Sequence, residues 1–313
     1  PEQWAQEGYK VLTASSKKNK LWRLLDMVFT TTKNRKNIHL VLIDTYSTHN
    51  FYYAVVIGAL SRCFKIPYVP ILHGGNLPNR LHKSKRLSQK LFGNARINVA
   101  PSKYILEKFK EYGFENLTYI PNALEIENYP FRHRKSVKPR LLWVRSFSEI
   151  YNPTLALEIV EILKKKGMEV SLCMVGPDKD GSLQRCKKIA TKLHLPVTFT
   201  GMLSKMEWAT LSGNFDIFIN TTNFDNMPVS VMEAMGLGML VVSTNVGGVP
   251  YLIENGKDGI LVPPNNAEKF VEAIESLCEN YSRAAEISIN AREKMEKFDW
   301  QIIKQQWIKL LDG

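Results

Sequence analysis

The feature that most constrains this chain is a regular alternation. Short apolar, strand-like runs are followed by longer stretches whose apolar residues recur at helical spacing. Parallel strands need a crossover, and a helix is the usual one, so the alternation predicts parallel sheets covered by helices. In the first half the strand-like runs fall at 10–14, 39–43, 67–72, 95–100 and 117–120, with helices expected at 21–31, 50–64 and 102–112. The last helix opens on Ser102, a good N-cap, and stops at Gly113. Gly8 reads as the end of a helix leading into the 10–14 run. A doubly wound domain ordinarily carries an earlier strand with a Gly-rich loop behind it, and that strand is expected to be missing here.

The second half restarts with strands at 140–145, 170–175, 197–200, 216–220, 240–243 and 260–262, and with helices at 153–166, 182–193, 204–212, 228–236 and 267–279. Ser204 and Glu207 have the spacing of a capping box. The tail, 282–311, is expected to be helical throughout, with Trp300 and Trp307 as anchors. Between the halves, 125–139 lacks periodicity, is charged and carries prolines, as an interdomain linker does. The fold class is therefore α/β, with two Rossmann-like domains, 1–124 and 140–295, facing a central cleft. Residues 296–313 form a C-terminal helix expected to cross back to the first domain. A chain of 313 residues is long enough for each domain to have its own core.

With 44% hydrophobic and 23% charged residues, the composition excludes disordered, collagen-like and coiled-coil proteins. Four cysteines, Cys63, Cys173, Cys186 and Cys278, are far apart and read as buried, reduced thiols of a cytoplasmic protein rather than a disulfide framework or zinc site. No apolar run approaches the ~20 residues of a membrane span. The charge is lopsided: residues 1–139 carry 23 Lys+Arg against 9 Asp+Glu (+14), and 140–313 carry 19 against 21 (−2), which sums to the whole-chain +12. A basic half-molecule suits a polyanion or an anionic membrane surface, while a solvated basic face is the plainer alternative.

In open parallel sheets, ligands sit beyond the carboxyl ends of the strands, so the loops there hold the candidate chemistry. The densest such stretch is 221–250, which runs strand, loop, helix, strand and Gly-rich loop. Asp225 lies in its loop, and Glu233 follows eight residues later inside the apolar context Val-Met-Glu-Ala-Met, where an unpaired carboxylate is costly. Pro228 fits a first helical turn, which leaves the amides of Val229 and Ser230 as phosphate donors. Gly247 and Gly248 offer a backbone that a ligand can approach. Taken singly, a helix cap, a surface carboxylate and a simple turn would account for these residues.

Together they resemble the signature of retaining glycosyltransferases of family 4, with the GT-B fold: an acidic residue, seven others, Glu, Ala-Met, then a Gly-Gly loop. His73-Gly74-Gly75 after a first-domain strand, Pro121-Asn122, Gly201, and Asn255 through Pro263 agree with that family in order and spacing. By position, the resemblance implies that Glu233 holds the nucleotide ribose and that Asp225 contacts the donor sugar. Asn226, Met227 and Val229, after Pro228, line the sugar and diphosphate. It implies further that His73 lies near the donor sugar, and that Gly201, Gly247 and Gly248 shape the nucleotide pocket. Two departures stand out. The first acidic residue is Asp225 rather than Glu. Where the family has Gly-Arg and then Lys, this chain has Arg145, Ser146 and Tyr151, so Arg145 is expected to serve from a shifted position, with Lys205 as the second cation.

The expected reaction moves a sugar, with retention, from a UDP- or GDP-sugar to an acceptor hydroxyl. Helix amides and Arg145 would stabilise the departing diphosphate, at roughly 3–4 kcal/mol per well-placed donor. Neither a metal nor any other cofactor is expected. The stretch 80–90, with Arg80, Lys83, Lys85 and Arg86 interleaved with Leu81 and Leu87, follows Gly74-Gly75. It suits an anionic membrane at the cytoplasmic face and a lipid-linked or cell-envelope glycan acceptor. Three rival readings are a sugar-nucleotide epimerase, a degenerate nucleotide-sugar sensor and a nucleic-acid-binding protein. Nucleic acid is disfavoured by the absence of an aromatic platform or helix-turn-helix pattern.

Overall fold

The computed structural model describes residues 2–134 and 136–313; Lys135, inside the expected linker, lies outside the described residues. The chain divides into two compact units, residues 1–101 with 105–119, and 102–104 with 120–313.

In the first unit the elements run α1 (Glu2–Gln6), α2 (Lys20–Asn34), β1 (Val41–Thr45), α3 (Asn50–Cys63), β2 (Tyr68–Leu72), α4 (Leu77–Lys83), α5 (Lys85–Phe92), β3 (Asn98–Ala100), α6 (Lys103–Glu111) and β4 (Leu117–Tyr119). The four strands form a parallel sheet in the order β1-β2-β3-β4. Its core is rich in aromatic rings: Phe92 packs edge-on against Phe109 and Phe114, with centroids 5.0 and 5.8 Å away. Gly8 closes α1 at φ +87°, as expected, but 10–14 is not a strand. Val11 and Leu12 are exposed and have no sheet face to cover, and an unpaired strand leaves its backbone groups without partners. Cys63 is exposed rather than buried, whereas Cys173 and Cys186 are buried.

The second unit runs β5 (Arg140–Val144), α7 (Pro153–Lys165), β6 (Ser171–Val175), α8 (Ser182–Lys192), β7 (Val197–Gly201), α9 (Lys205–Leu211), β8 (Ile217–Asn220), α10 (Val229–Gly236), β9 (Leu240–Thr244), α11 (Val249–Leu252), β10 (Ile260–Val262), α12 (Ala267–Glu279), α13 (Tyr281–Glu296) and α14 (Trp300–Asp312). Its six-stranded parallel sheet has the order β10-β9-β8-β5-β6-β7. Side chains alternate between two cores, as strand geometry requires. Leu141, Trp143, Leu172, Met174, Ile217 and Ile219 face α7 and α12, while Leu142, Cys173, Val175 and Phe218 face α10 and α13. Being covered on both faces explains why these strands read as continuous apolar runs.

The tail is two helices rather than one. Asp299 breaks it: its carboxylate accepts from the Gln301 amide at 2.7 Å, and the Trp300 amide donates to the Leu124 carbonyl at 2.7 Å. An N-cap and a bridge to Leu124 outweigh the helical periodicity of the flanking residues. Residues 125–134 and 136–139 are folded onto this unit. Tyr129 is buried, and the Arg134 guanidinium donates to the carbonyls of Phe215 and Arg132 at 3.1 Å each.

Candidate functional site

Strand order in the second sheet reverses at β5, whose neighbours are β6 and β8. The chain leaves β5 for α7 on one face and leaves β8 for α10 on the other. The loops after these two strands therefore part company, and the gap at such a switch point is where open α/β sheets bind ligands. Arg145 is the first residue after β5, and Asp225 stands in the loop after β8. Their side chains, 14% and 15% exposed, meet in an ion pair between Arg145 Nη2 and Asp225 Oδ2. The other carboxylate oxygen of Asp225 accepts the Asn226 amide at 2.8 Å.

The Gly-rich loop fixes this carboxylate from behind. The Gly248 amide donates to the Asp225 carbonyl at 2.9 Å. A Cβ on Gly248 would stand 1.8 Å from the Asn226 carbonyl oxygen, and one on Gly247, at φ +53°, would stand 2.2 Å from that of Asp225. Sequence offered these glycines as a surface open to ligand. The structure gives them another reason, because only a residue without a side chain lets the two loops touch.

Pro228 caps α10 rather than lying inside it, and the helix begins at Val229. The amides of Val229 and Ser230 precede any that an intrahelical carbonyl can accept, and they carry the positive end of the helix dipole. Asn226 and Met227, immediately upstream, are buried, and Val229 is half-buried. Among the described residues, two buried atoms here lack a hydrogen-bond partner, Arg145 Nε and Ser230 Oγ.

Glu233, one turn along α10, is only 4% exposed. The Tyr129 hydroxyl donates to its Oε1 at 2.6 Å, and Lys205 Nζ lies 3.4 Å from the same oxygen. Burial, and then the bond to Glu233, push the Tyr129 phenol far above its ordinary range, so it remains a donor. Lys205 opens α9 behind the Ser204–Glu207 capping box and pairs with Glu233 through a side chain that is otherwise exposed. Gly201 ends β7 at φ +76°, and its carbonyl accepts from Gly176 at 2.8 Å.

In the first unit, His73 follows β2, and its Nε2 lies 3.0 Å from Asp44 Oδ1 at the end of β1. That hydrogen bond is the main reason Asp44 titrates below the usual aspartate value. Tyr46 stacks on the imidazole at 5.6 Å. Gly74 lies against the Tyr46–Ser47 backbone, Gly75 is half-buried, and the Arg80 guanidinium donates to the Ser47 carbonyl at 2.7 and 3.0 Å. Arg80 is thus a structural link rather than part of a membrane-facing row. Lys83, Lys85 and Arg86 are exposed, but Leu77, Leu81, Leu91 and Phe92 are buried. Leu77, Leu81 and Leu91 serve the core, while Leu87 is exposed beside Lys85 and Arg86.

Sequence reasoning missed Tyr129 as a partner of Glu233, Asp44 as a partner of His73, and the stacking of Arg145 on Tyr151 at 4.9 Å. An aspartate near the end of a strand, one strand away from His73, was the only local signal available for any of them. Among the described residues no group of three His, Cys, Asp or Glu side chains is placed to hold a metal ion, and no helix is long and apolar enough to cross a membrane.

Residues 125–294, the stretch that contains this site, match the family described as Glycosyl transferases group 1. The amylovoran biosynthesis glycosyltransferase AmsK of Erwinia amylovora is 24% identical over 295 residues, covering 86% of this chain and 70% of that protein. The sulfoquinovosyl transferase SQD2 of Arabidopsis thaliana is 29% identical over 150 residues, 47% of this chain, but the match spans only 28% of that protein. Among solved structures, Anabaena Alr3699/HepE in complex with UDP-glucose aligns over 99% of this chain and 88% of its own, with a TM-score of 0.81 at 20% identity. Likeness at that identity speaks for the fold, two Rossmann-like domains of the GT-B class.

Proposed function

Because the chain belongs to the Glycosyl transferases group 1 family, we propose that it moves a sugar, with retention and without a metal, from a nucleoside diphosphate sugar to an acceptor hydroxyl. The observation that carries this reading is the set of groups at the β5/β8 switch point. A cation, two unpartnered donors and a helix N-terminus stand beside two carboxylates. That is the complement of a diphosphate flanked by two polyols. Arg145, the Val229 and Ser230 amides and the Ser230 hydroxyl would take the diphosphate, Asp225 the sugar hydroxyls and Glu233 the ribose.

In the step itself, the bond between the anomeric carbon and the diphosphate oxygen breaks while the acceptor oxygen bonds to that carbon. The acceptor's proton passes to the departing phosphate. Negative charge grows on the diphosphate, so donors fixed in advance around it favour the transition state over the ground state. In the first unit, His73 is the candidate substrate contact; its Nε2 is engaged by Asp44, which leaves Nδ1 as its remaining polar atom.

Residues 140–295 are the core of the donor-binding domain in this reading, and the stretch before them, with Tyr129, belongs to the same unit rather than linking two units. The relatives include enzymes named for amylovoran, colanic acid and undecaprenol-linked glycan synthesis. On that basis the acceptor class is a glycan or lipid-linked glycan. A thermal-shift panel of UDP-, GDP- and ADP-sugars, with Glu233→Gln as control, tests the proposal. A rise in melting temperature with one nucleotide class, lost in the variant, supports it and names the base. No rise with any of the three overturns it.

A further inference from the structure

The cation of this site has an unusual seat. Arg145 lies with its guanidinium over the Tyr151 ring, 4.9 Å from the centroid, while one nitrogen pairs with Asp225 and Nε has no partner among the described residues. The turn that carries Tyr151 is held firmly. Thr221, itself accepting from Trp143 Nε1 at 3.0 Å, shares its hydroxyl hydrogen between the carbonyls of Tyr151 and Asn152, each at 2.9 Å. The Asn223 amide donates to the Ile150 carbonyl at 2.8 Å, and the Asn223 side chain donates to that of Glu149 at 3.2 Å. Residues 221–223 belong to the same loop that presents Asp225, so Tyr151 and Asp225 are fixed to one piece of backbone.

We propose that Tyr151 is a positioning residue that keeps the Arg145 guanidinium in the site when a donor takes Asp225 away from it. This rests on the donor-site reading above. With no donor, Arg145 and Asp225 neutralise each other. When a nucleoside diphosphate sugar binds, the sugar hydroxyls claim Asp225 and the diphosphate claims Arg145, so the ion pair must open. An arginine freed in this way would regain its rotamers and swing to solvent, and ordering it again would cost affinity. The ring face holds it by cation–π attraction, which needs no hydrogen bond and leaves every N–H of the guanidinium available to phosphate. The Arg145 Nε without a partner is then the donor reserved for the ligand.

The test compares wild type, Tyr151→Phe, Tyr151→Leu and Tyr151→Met in the full chain. Affinities for UDP and GDP, and for uridine and guanosine, are measured by ligand-observed NMR competition. Loss of the ring is expected to weaken the preferred diphosphate about tenfold and to leave the matching nucleoside unchanged, because only the phosphates meet Arg145. Tyr151→Phe keeps the ring and is expected to restore affinity to within about twofold of wild type. Leu and Met are alternatives for removing the ring, so either folded variant gives the reading. Unchanged diphosphate affinity in the ringless variants overturns the proposal and leaves the donor site standing. Equal weakening of nucleoside and diphosphate makes Tyr151 merely structural and also overturns it. A wild type that binds neither of these, nor ADP in the same competition, removes the donor-site reading itself, and this proposal with it.

Discussion

Two glycine-bearing loops, 73–75 in the first unit and 246–248 in the second, look alike in sequence and do the same mechanical work, yet they present very different charges. Each packs against neighbouring backbone so closely that a Cβ would collide. One on Gly74 would lie 2.5 Å from the Ser47 nitrogen, and one on Gly248 would lie 1.8 Å from the Asn226 oxygen. The first loop carries His73 toward Asp44, whose side chain is 67% exposed. The second holds Asp225 against Arg145 where both are largely buried. Water screens the first pair, whereas the second is surrounded by protein and depends on its partners. Glycine, then, marks where a loop must be fixed closely, and burial decides how much the charge fixed there matters.

The largest effect that would sharpen this comparison is Gly248→Ala. The new methyl has only carbonyl backbone to meet, so the 225–226 loop must shift, with an expected loss of about 3 kcal/mol in chemical denaturation. Gly74→Ala meets a less severe overlap and is expected to cost about 2 kcal/mol. If the two losses were equal, or their order reversed, the close approach at 246–248 would not be the tighter of the two.

Next in size is Tyr129→Phe. It leaves the Glu233 carboxylate buried, with Lys205 Nζ, 3.4 Å from the affected oxygen, as its remaining partner among the described residues. The expected loss is about 1–3 kcal/mol, together with weaker nucleotide binding in the thermal-shift panel. A variant as stable as wild type would mean that Glu233 is satisfied without the phenol.

The difference between the two loops was only partly legible in the sequence. Asp225, Glu233, Gly247 and Gly248 stand out as candidates because their spacing along one strand–loop–helix–strand segment carries the signal. Partners from remote segments were not. Tyr129 lies in a stretch without periodicity, and nothing local distinguishes a buried linker tyrosine from an exposed one. Most strands and helices were legible because apolar periodicity survives in the sequence. The 10–14 run failed because a strand needs a neighbour to pair with, which sequence alone does not supply. The 77–92 stretch divides its leucines in a way its sequence does not announce: Leu77, Leu81 and Leu91 are needed by the core, whereas Leu87 is exposed with Lys83, Lys85 and Arg86. The break at Asp299 depends on Leu124, 175 positions upstream by residue number, so helical spacing runs through it unmarked.

The smallest predicted effect probes the exposed pair directly. His73 holds Asp44 in its ionised form and lowers its titration point beneath the usual 3.8. A carboxyl group whose folded value is depressed contributes stability that is present above its unfolded value and lost as pH falls through its folded value. Asp44→Asn should therefore cost a few tenths of a kcal/mol at neutral pH, in keeping with an exposed pair. The gap from wild type should close only below pH 3.8, as the carboxylate takes up its proton. A loss above about 1 kcal/mol would show that Asp44 behaves like Asp225 despite its exposure. Burial would then not be what separates the two loops.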